Sequence, residues 1–229
     1  MTAEAAETVF TAWPVVAAAV TVTGGLLVVI LTHHFTRRRE LQMLEEKRRR
    51  EKEDAVEKRE AEFRYISTEL IFRLEEFAQK CALVAADYGV ALREDAELVA
   101  SVSEPELMLE DIDGEWKSVP PELLYFIREL PVRLRAVGPV LDEVYDNLWD
   151  PPENGPWFDE RQKQYARIGL SAIRLARRLR RLGGYPETRL AGGPHSAMQV
   201  MWKVYRRELR HRQIINLATN VSRQASEVS

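Results

Sequence analysis

Apolar residues follow three different rhythms along this chain, and each predicts a different element. The first is an unbroken run. Val9–Leu31, VFTAWPVVAAAVTVTGGLLVVIL, is 23 residues without a charged side chain, and as a helix it would be longer than the roughly 30 Å hydrocarbon core of a bilayer. A transmembrane helix is expected, occupying 9–36 with its flanks and leaving 1–8 as a short external tail. The second rhythm is almost silent. Residues 37–62, RRRELQMLEEKRRREKEDAVEKREAE, contain no Gly or Pro and are rich in helix formers. Leu41 and Leu44, however, give way at the next heptad positions to Arg48 and Glu51, so a long coiled coil lacks its apolar seam. This predicts a solvated helical connector, supported by acid-first i,i+4 pairs such as Glu45 with Arg49 and Asp54 with Lys58.

The third rhythm begins at Phe63. Phe63, Ile66, Leu70, Leu74, Phe77, Cys81, Val84 and Tyr88 recur at steps of three and four, the mark of a helix with one face on a core. Gly89 is a stop or a break, after which VALREDAELVASVS could carry further helix. Residues 104–121 lack a helical period and read as a loop. From Pro121 the helical pattern returns, with Pro131 and Gly138-Pro139 expected to kink or divide it. Another helix should run to Gly183-Gly184, with Asp159 and Glu160 in its first turn, where acids suit the positive end of the helix. Its wheel puts Ile168, Ala172, Leu175, Leu179 and Leu182 on one face and Arg167, Arg174, Arg177, Arg178 and Arg181 on the other. A last helix, about 196–212, carries Met201, Trp202, Tyr205 and Leu209, and 214–229 reads as a flexible tail. The expectation is an all-α protein: a transmembrane helix, a long charged juxtamembrane helix, and an irregular antiparallel helical bundle over 63–213.

Charge sets the direction of the span. Arg37, Arg38 and Arg39 follow it, with KRRR at 47–50, whereas Glu4 and Glu7 precede it. The positive-inside rule then places the N-terminus outside and the bundle in the cytoplasm, and the acidic flank argues against a secretory signal peptide. Trp13, His33 and His34 fit the two membrane interfaces together with those arginines, and Arg37–Arg50 is suited to anionic lipid headgroups. Ala17, Thr21 and Gly25 form a small-residue stripe of the kind through which spans self-associate.

The formal net charge of −3 conceals opposed halves: 65–160 holds 22 acids against 7 bases, and 161–229 holds 15 bases against 3 acids. The arginine face therefore has two readings. One is a surface for nucleic acid or lipid phosphate, with Trp157, Tyr165, Trp202 and Tyr205 nearby. The other, which the charge balance favours, is neutralisation by the acidic half of the same domain or of a second copy.

Candidate chemistry is sparse. No phosphate-cradling glycine motif, HExxH or GxSxG occurs. The Glu208-x-x-His211 pair would need a second such motif to build a di-iron site, and none exists. Asp142, Glu143 and Asp146 have no partner nucleophile. Cys81 is the only cysteine and falls on the apolar stripe, so it reads as a small core residue. No catalytic residue, cofactor or metal is expected.

The segments RYISTELIFRLEEFAQKCALVAADYG, WKSVPPELLYFIRELP and DPPENGPWFDERQKQYARIGL, within Arg64 to Leu182, resemble a group of bacterial single-pass membrane-anchored helical proteins with no known activity. That resemblance implies a bacterial inner-membrane setting and carries over no site residue. The function expected is a non-enzymatic scaffold or protein-interaction module, with membrane lipid, a second copy of itself or a cytoplasmic protein as partners. The alternative is a membrane tether that binds nucleic acid or anionic lipid through the arginine-rich helix.

Overall fold

The computed structural model describes the backbone of residues 4–91, 93, 96–148, 150–193 and 195–227; the side chains of 4–31, 34, 191, 212 and 215–227 lie outside the described residues. The chain is mainly helical and divides into two compact units, Met1–Lys58 and Arg59–Ser229. Helix α1, Glu4–Ala85, contributes to both.

In the first unit every described side chain from Thr32 to Lys58 is exposed, as expected of a solvated charged helix. Two ion pairs run base-first along it, Lys47–Glu51 at 3.9 Å and Arg49–Glu53 at 3.3 Å. This is the reverse of the acid-first order expected. Exposed pairs of either order are worth little, so solvation, not pairing, governs this segment. Among the described residues no helix is long and apolar enough to cross a membrane. The expected span Val9–Leu31, with Trp13 and the small-residue stripe, lies outside the described side chains, as does His34. His33, Arg37, Arg38 and Arg39 are exposed on α1.

The second unit is built on the expected stripe. Ile66, Leu70, Leu74, Phe77, Cys81 and Val84 are all buried, between 0% and 2% exposed. Tyr88 is the exception at 63%, because α1 ends at Ala85 and leaves it off the stripe. No helix follows. Gly89 adopts φ +80°, a conformation open to glycine at little cost, and β1 (Val90–Ala91) pairs antiparallel with β2 (Leu98–Val99), Val90 opposite Val99. The further helix that VALREDAELVASVS could have carried is thus replaced by a short hairpin. The Asp87 carboxylate draws it closed, accepting bonds from the Gly89 amide at 3.0 Å and the Ser101 amide at 3.0 Å.

Residues 104–120 form the expected loop, with one 3-10 turn at Trp116–Ser118. Pro105, Leu107 and Leu109 alternate buried with exposed neighbours, so the loop crosses the core as an extended chain. Helix α2, Pro121–Arg135, starts with proline in its first turn, where the missing N–H costs nothing. It passes through Pro131 and ends at Ala136; α3 is Val137–Leu148. The division therefore falls before Gly138-Pro139, and Pro139 sits in the first turn of α3, again a tolerated place.

Helix α4, Gly155–Gly183, is the spine of the unit, in contact with α2, α3 and α5 (Ala197–Glu227). Gly155 and Pro156 open it, so Asp159 and Glu160 lie in its second turn, not the first. It closes in a Schellman arrangement: Gly184 at φ +72°, its amide on the Arg181 carbonyl and the Tyr185 amide on the Arg180 carbonyl at 2.8 Å. Ile168, Ala172, Leu175 and Leu179 are buried as the wheel predicts, while Leu182 in the last turn is 52% exposed. Gly169 lets α4 approach closely: a Cβ there would lie 2.7 Å from Cys81 Cβ and against Met201 Sδ. Cys81 is buried, and burial raises its thiol well above the ordinary range, consistent with an inert core residue.

Candidate functional site

Opposed charge totals become particular pairs once α4 is in place. Arg161 donates to Asp87 at 2.9 Å, Arg178 to Glu122 at 2.7 Å, Arg180 to both oxygens of Glu75 at 2.8 and 2.9 Å, and Arg207 to Asp159 at 3.0 Å. In each the base comes from 161–229 and the acid from 65–160, so part of the opposed charge is paired within a single chain, while Arg167–Glu208 and Arg177–Glu187 pair inside the basic half.

These pairs differ in weight. Arg178–Glu122 and Arg207–Asp159 are solvated and contribute little. Arg180–Glu75 is a fork with both side chains nearly buried, and the neighbouring carboxylate raises the Arg180 guanidinium above its ordinary value. Asp87 and Arg161 are each 1% exposed. Burial alone would raise the Asp87 carboxyl. Hydrogen bonds from the Ser101 hydroxyl, the Gly89 and Val102 amides and Arg161 outweigh it and hold the carboxyl at about 2. That cluster is structural: it fastens the end of α1, the hairpin and α4, with Arg161 Nε its one buried nitrogen that meets no acceptor among the described residues.

Several arginines of this unit have no carboxylate partner among the described residues, and the candidate site lies where two of them converge in a groove. Between α2, α4 and α5 lies a groove of about 650 Å³, with Leu170, Ile173, Met198 and Trp202 on its apolar walls and Arg133, Arg167, Arg174 and Arg177 on its polar ones. Its size is that of a small-ligand site. Trp202 and Tyr205 stack upon each other there, ring centroids 5.3 Å apart and 9° from parallel, with the Arg206 guanidinium 5.6 Å from the Trp202 ring.

The four lining arginines are not equivalent. Arg167 donates through Nε and Nη2 to Glu208, bridging α4 to α5. Arg177 reaches Glu187 at 3.3 Å, an exposed pair. Arg133 and Arg174 meet no carboxylate among the described residues. Instead both turn to one neutral oxygen: Arg174 Nη2 lies 3.0 Å and Arg133 Nη1 3.5 Å from Ser171 Oγ, so the two nitrogens are within about 6.5 Å of each other. The Ser171 hydroxyl spends its proton on the Arg167 carbonyl, 2.9 Å away, and is 8% exposed.

The expected arginine face is therefore divided. Arg167, Arg174 and Arg177 line the groove, while Arg178 is tied to Glu122 and Arg181 is exposed elsewhere on α4. Within that face Arg177 and Arg178 are engaged by Glu187 and Glu122. Sequence reading missed Arg133, which arrives from another helix, and Ser171, an ordinary helical residue. Of the four aromatics expected near the arginine face, Trp202 and Tyr205 line the groove, whereas Trp157 and Tyr165 lie beside Arg161, their ring centroids 5.6 and 5.9 Å from its guanidinium. Glu208 of the Glu208-x-x-His211 pair is bound to Arg167, and among the described residues no group of three or more His, Cys, Asp or Glu is placed to hold a metal ion. No protein-family model, curated protein or solved structure matches the chain.

Proposed function

We propose that this protein is a membrane-anchored, non-enzymatic binding module whose helical unit, facing the cytoplasm, takes an anionic partner in the groove between α2, α4 and α5. The observation that carries the reading is the contrast among the arginines. Arg161, Arg167, Arg177, Arg178, Arg180 and Arg207 have carboxylates, while Arg133 and Arg174 share one hydroxyl at the wall of an apolar groove. Both arginines are exposed, so an anionic group supplied from outside can reach them and would gain charge-assisted bonds from two guanidinium groups at once. The anchor is supported by the uncharged run Val9–Leu31 and the arginines that follow it. Nucleic acid is the weaker reading, because the internal ion pairs interrupt the basic face.

The test places a photo-crosslinking amino acid at Trp202, in the groove, or at Tyr125, exposed on α2 and outside it, in the full chain expressed in bacterial cells. Carbonate-washed membranes are then analysed. The expected result is a crosslinked product recovered with the membranes from position 202 only, abolished when Arg133 and Arg174 are both changed to Glu. Equal capture at the two positions, or capture indifferent to the charge reversals, would overturn the groove. Recovery of the full chain in the carbonate supernatant would overturn the anchor.

A further inference from the structure

Resting on the anionic-groove reading, we infer that the site formed by Arg133, Arg174 and Ser171 takes a phosphate monoester whose apolar or aromatic body lies along Leu170, Ile173, Met198 and Trp202. Charge favours phosphate over carboxylate. A carboxylate can accept from several donors at once, but it brings a single negative charge to two guanidinium groups. Here two guanidinium groups reach the same point from different helices, Arg133 from α2 and Arg174 from α4, at 3.5 and 3.0 Å from one oxygen. A tetrahedral phosphate offers three terminal oxygens and about two negative charges, enough for both forks at once.

Ser171 Oγ stands where one phosphate oxygen would be received. Its own proton is committed to the Arg167 carbonyl at 2.9 Å, so it serves the two arginines as an acceptor and would offer an incoming anion no proton. A phosphate oxygen would displace it as their acceptor. Ser171 is thus a competitor for the arginines, and removing its hydroxyl frees them. The rest of the groove sets the remainder of the ligand. Its apolar wall and the stacked Trp202–Tyr205 pair favour a flat or hydrocarbon body over a bare inorganic ion. Arg177, whose bond to Glu187 is exposed, lines the same groove and adds positive potential.

Phosphate monoesters with such bodies come from two sources, a soluble phosphorylated small molecule or a lipid of the phosphatidic acid type. The experiment is calorimetric titration of the full chain in neutral detergent micelles with four probes: phenyl phosphate, dihexanoyl phosphatidic acid, inorganic phosphate and benzoate. Saturable binding of at least one of the first two is expected, at least about tenfold tighter than inorganic phosphate or benzoate. Arg133→Gln and Arg174→Gln should each weaken it about tenfold, the loss of one charge-assisted fork. Ser171→Ala should leave it unchanged or slightly tighter, and Arg181→Gln, exposed outside the groove, should leave it unchanged. Tighter phosphatidic acid assigns the ligand to a lipid, and tighter phenyl phosphate to a soluble ester; either supports the site. Benzoate binding as tightly as both phosphate esters overturns the phosphate assignment and spares the anionic groove. Phosphate binding that survives both glutamine variants, or falls equally in Arg181→Gln, overturns the assigned residues. If no probe binds, the groove reading falls as well.

Discussion

Changing Asp87 to Asn should destabilise the helical unit more than any exposed ion-pair substitution, through a pH dependence of known sign. The wild-type carboxylate accepts from the Gly89 amide, the Ser101 amide and hydroxyl, the Val102 amide and Arg161, at 2.6 to 3.1 Å. An amide has one accepting oxygen, and its NH₂ would confront donors. It also leaves Arg161, 1% exposed, without a countercharge. Breaking a buried pair from one side costs about 3–5 kcal/mol. Linkage gives an independent figure: a carboxyl at about 2 when folded, against 3.8 ordinarily, contributes roughly 2.5 kcal/mol. Because the folded value is the lower one, that contribution is present above about pH 4 and is lost as the pH falls toward 2. Urea unfolding of the full chain in neutral detergent, followed by near-ultraviolet circular dichroism, should show Asp87→Asn about 3 kcal/mol below wild type near neutrality. The gap should close toward about pH 2 as the wild-type carboxylate is protonated. Native-state amide exchange should place the first losses at Ser101 and Val102, whose N–H groups depend on this carboxylate. A deficit under about 1 kcal/mol near neutrality, or one that does not narrow in acid, would refute the account.

Two further outcomes test the packing around the groove. Gly169→Ala would put a methyl 2.7 Å from Cys81 Cβ and against Met201 Sδ; although the methionine can move, the Cys81 Cβ is fixed to α1, and a loss of about 1–3 kcal/mol is expected in the same unfolding measurement. A stability equal to wild type would show that α4 can move away from α1 without penalty. Cys81 should resist maleimide in the native full chain and label only across the urea transition, because burial both shields it and raises its thiol; labelling in native buffer at the rate of a free thiol would contradict its place in the core.

Much of the architecture was readable from spacing alone, and the exceptions have physical causes. The stripe from Ile66 to Val84 packs as its three-and-four spacing requires, because local periodicity and burial agree along that helix. Tyr88 and Leu182 fail for a common reason: each lies at or beyond a helix end, where the wheel no longer dictates direction. The hairpin after Gly89 was missed because its closure depends on Asp87 reaching residues fourteen and fifteen positions away, contacts that no local window contains. The alternation of Pro105, Leu107 and Leu109 was present in the sequence, but three positions bounded by acids resemble any loop.

Charge shows the same limit from another side. The totals of the two halves indicate that pairing must occur, yet assigning Glu75 to Arg180 or Glu122 to Arg178 requires knowing which helix faces meet. Once those assignments are made, the arginines that remain become informative in a way the composition never was. A cation with a carboxylate partner is accounted for by folding. Arg133 and Arg174 are exposed and meet no carboxylate among the described residues, yet both reach the Ser171 hydroxyl at the wall of the groove. With a serine there, two guanidinium groups converge on a neutral oxygen beside an apolar groove, and the proposed anionic partner rests on that convergence, not on the charge totals.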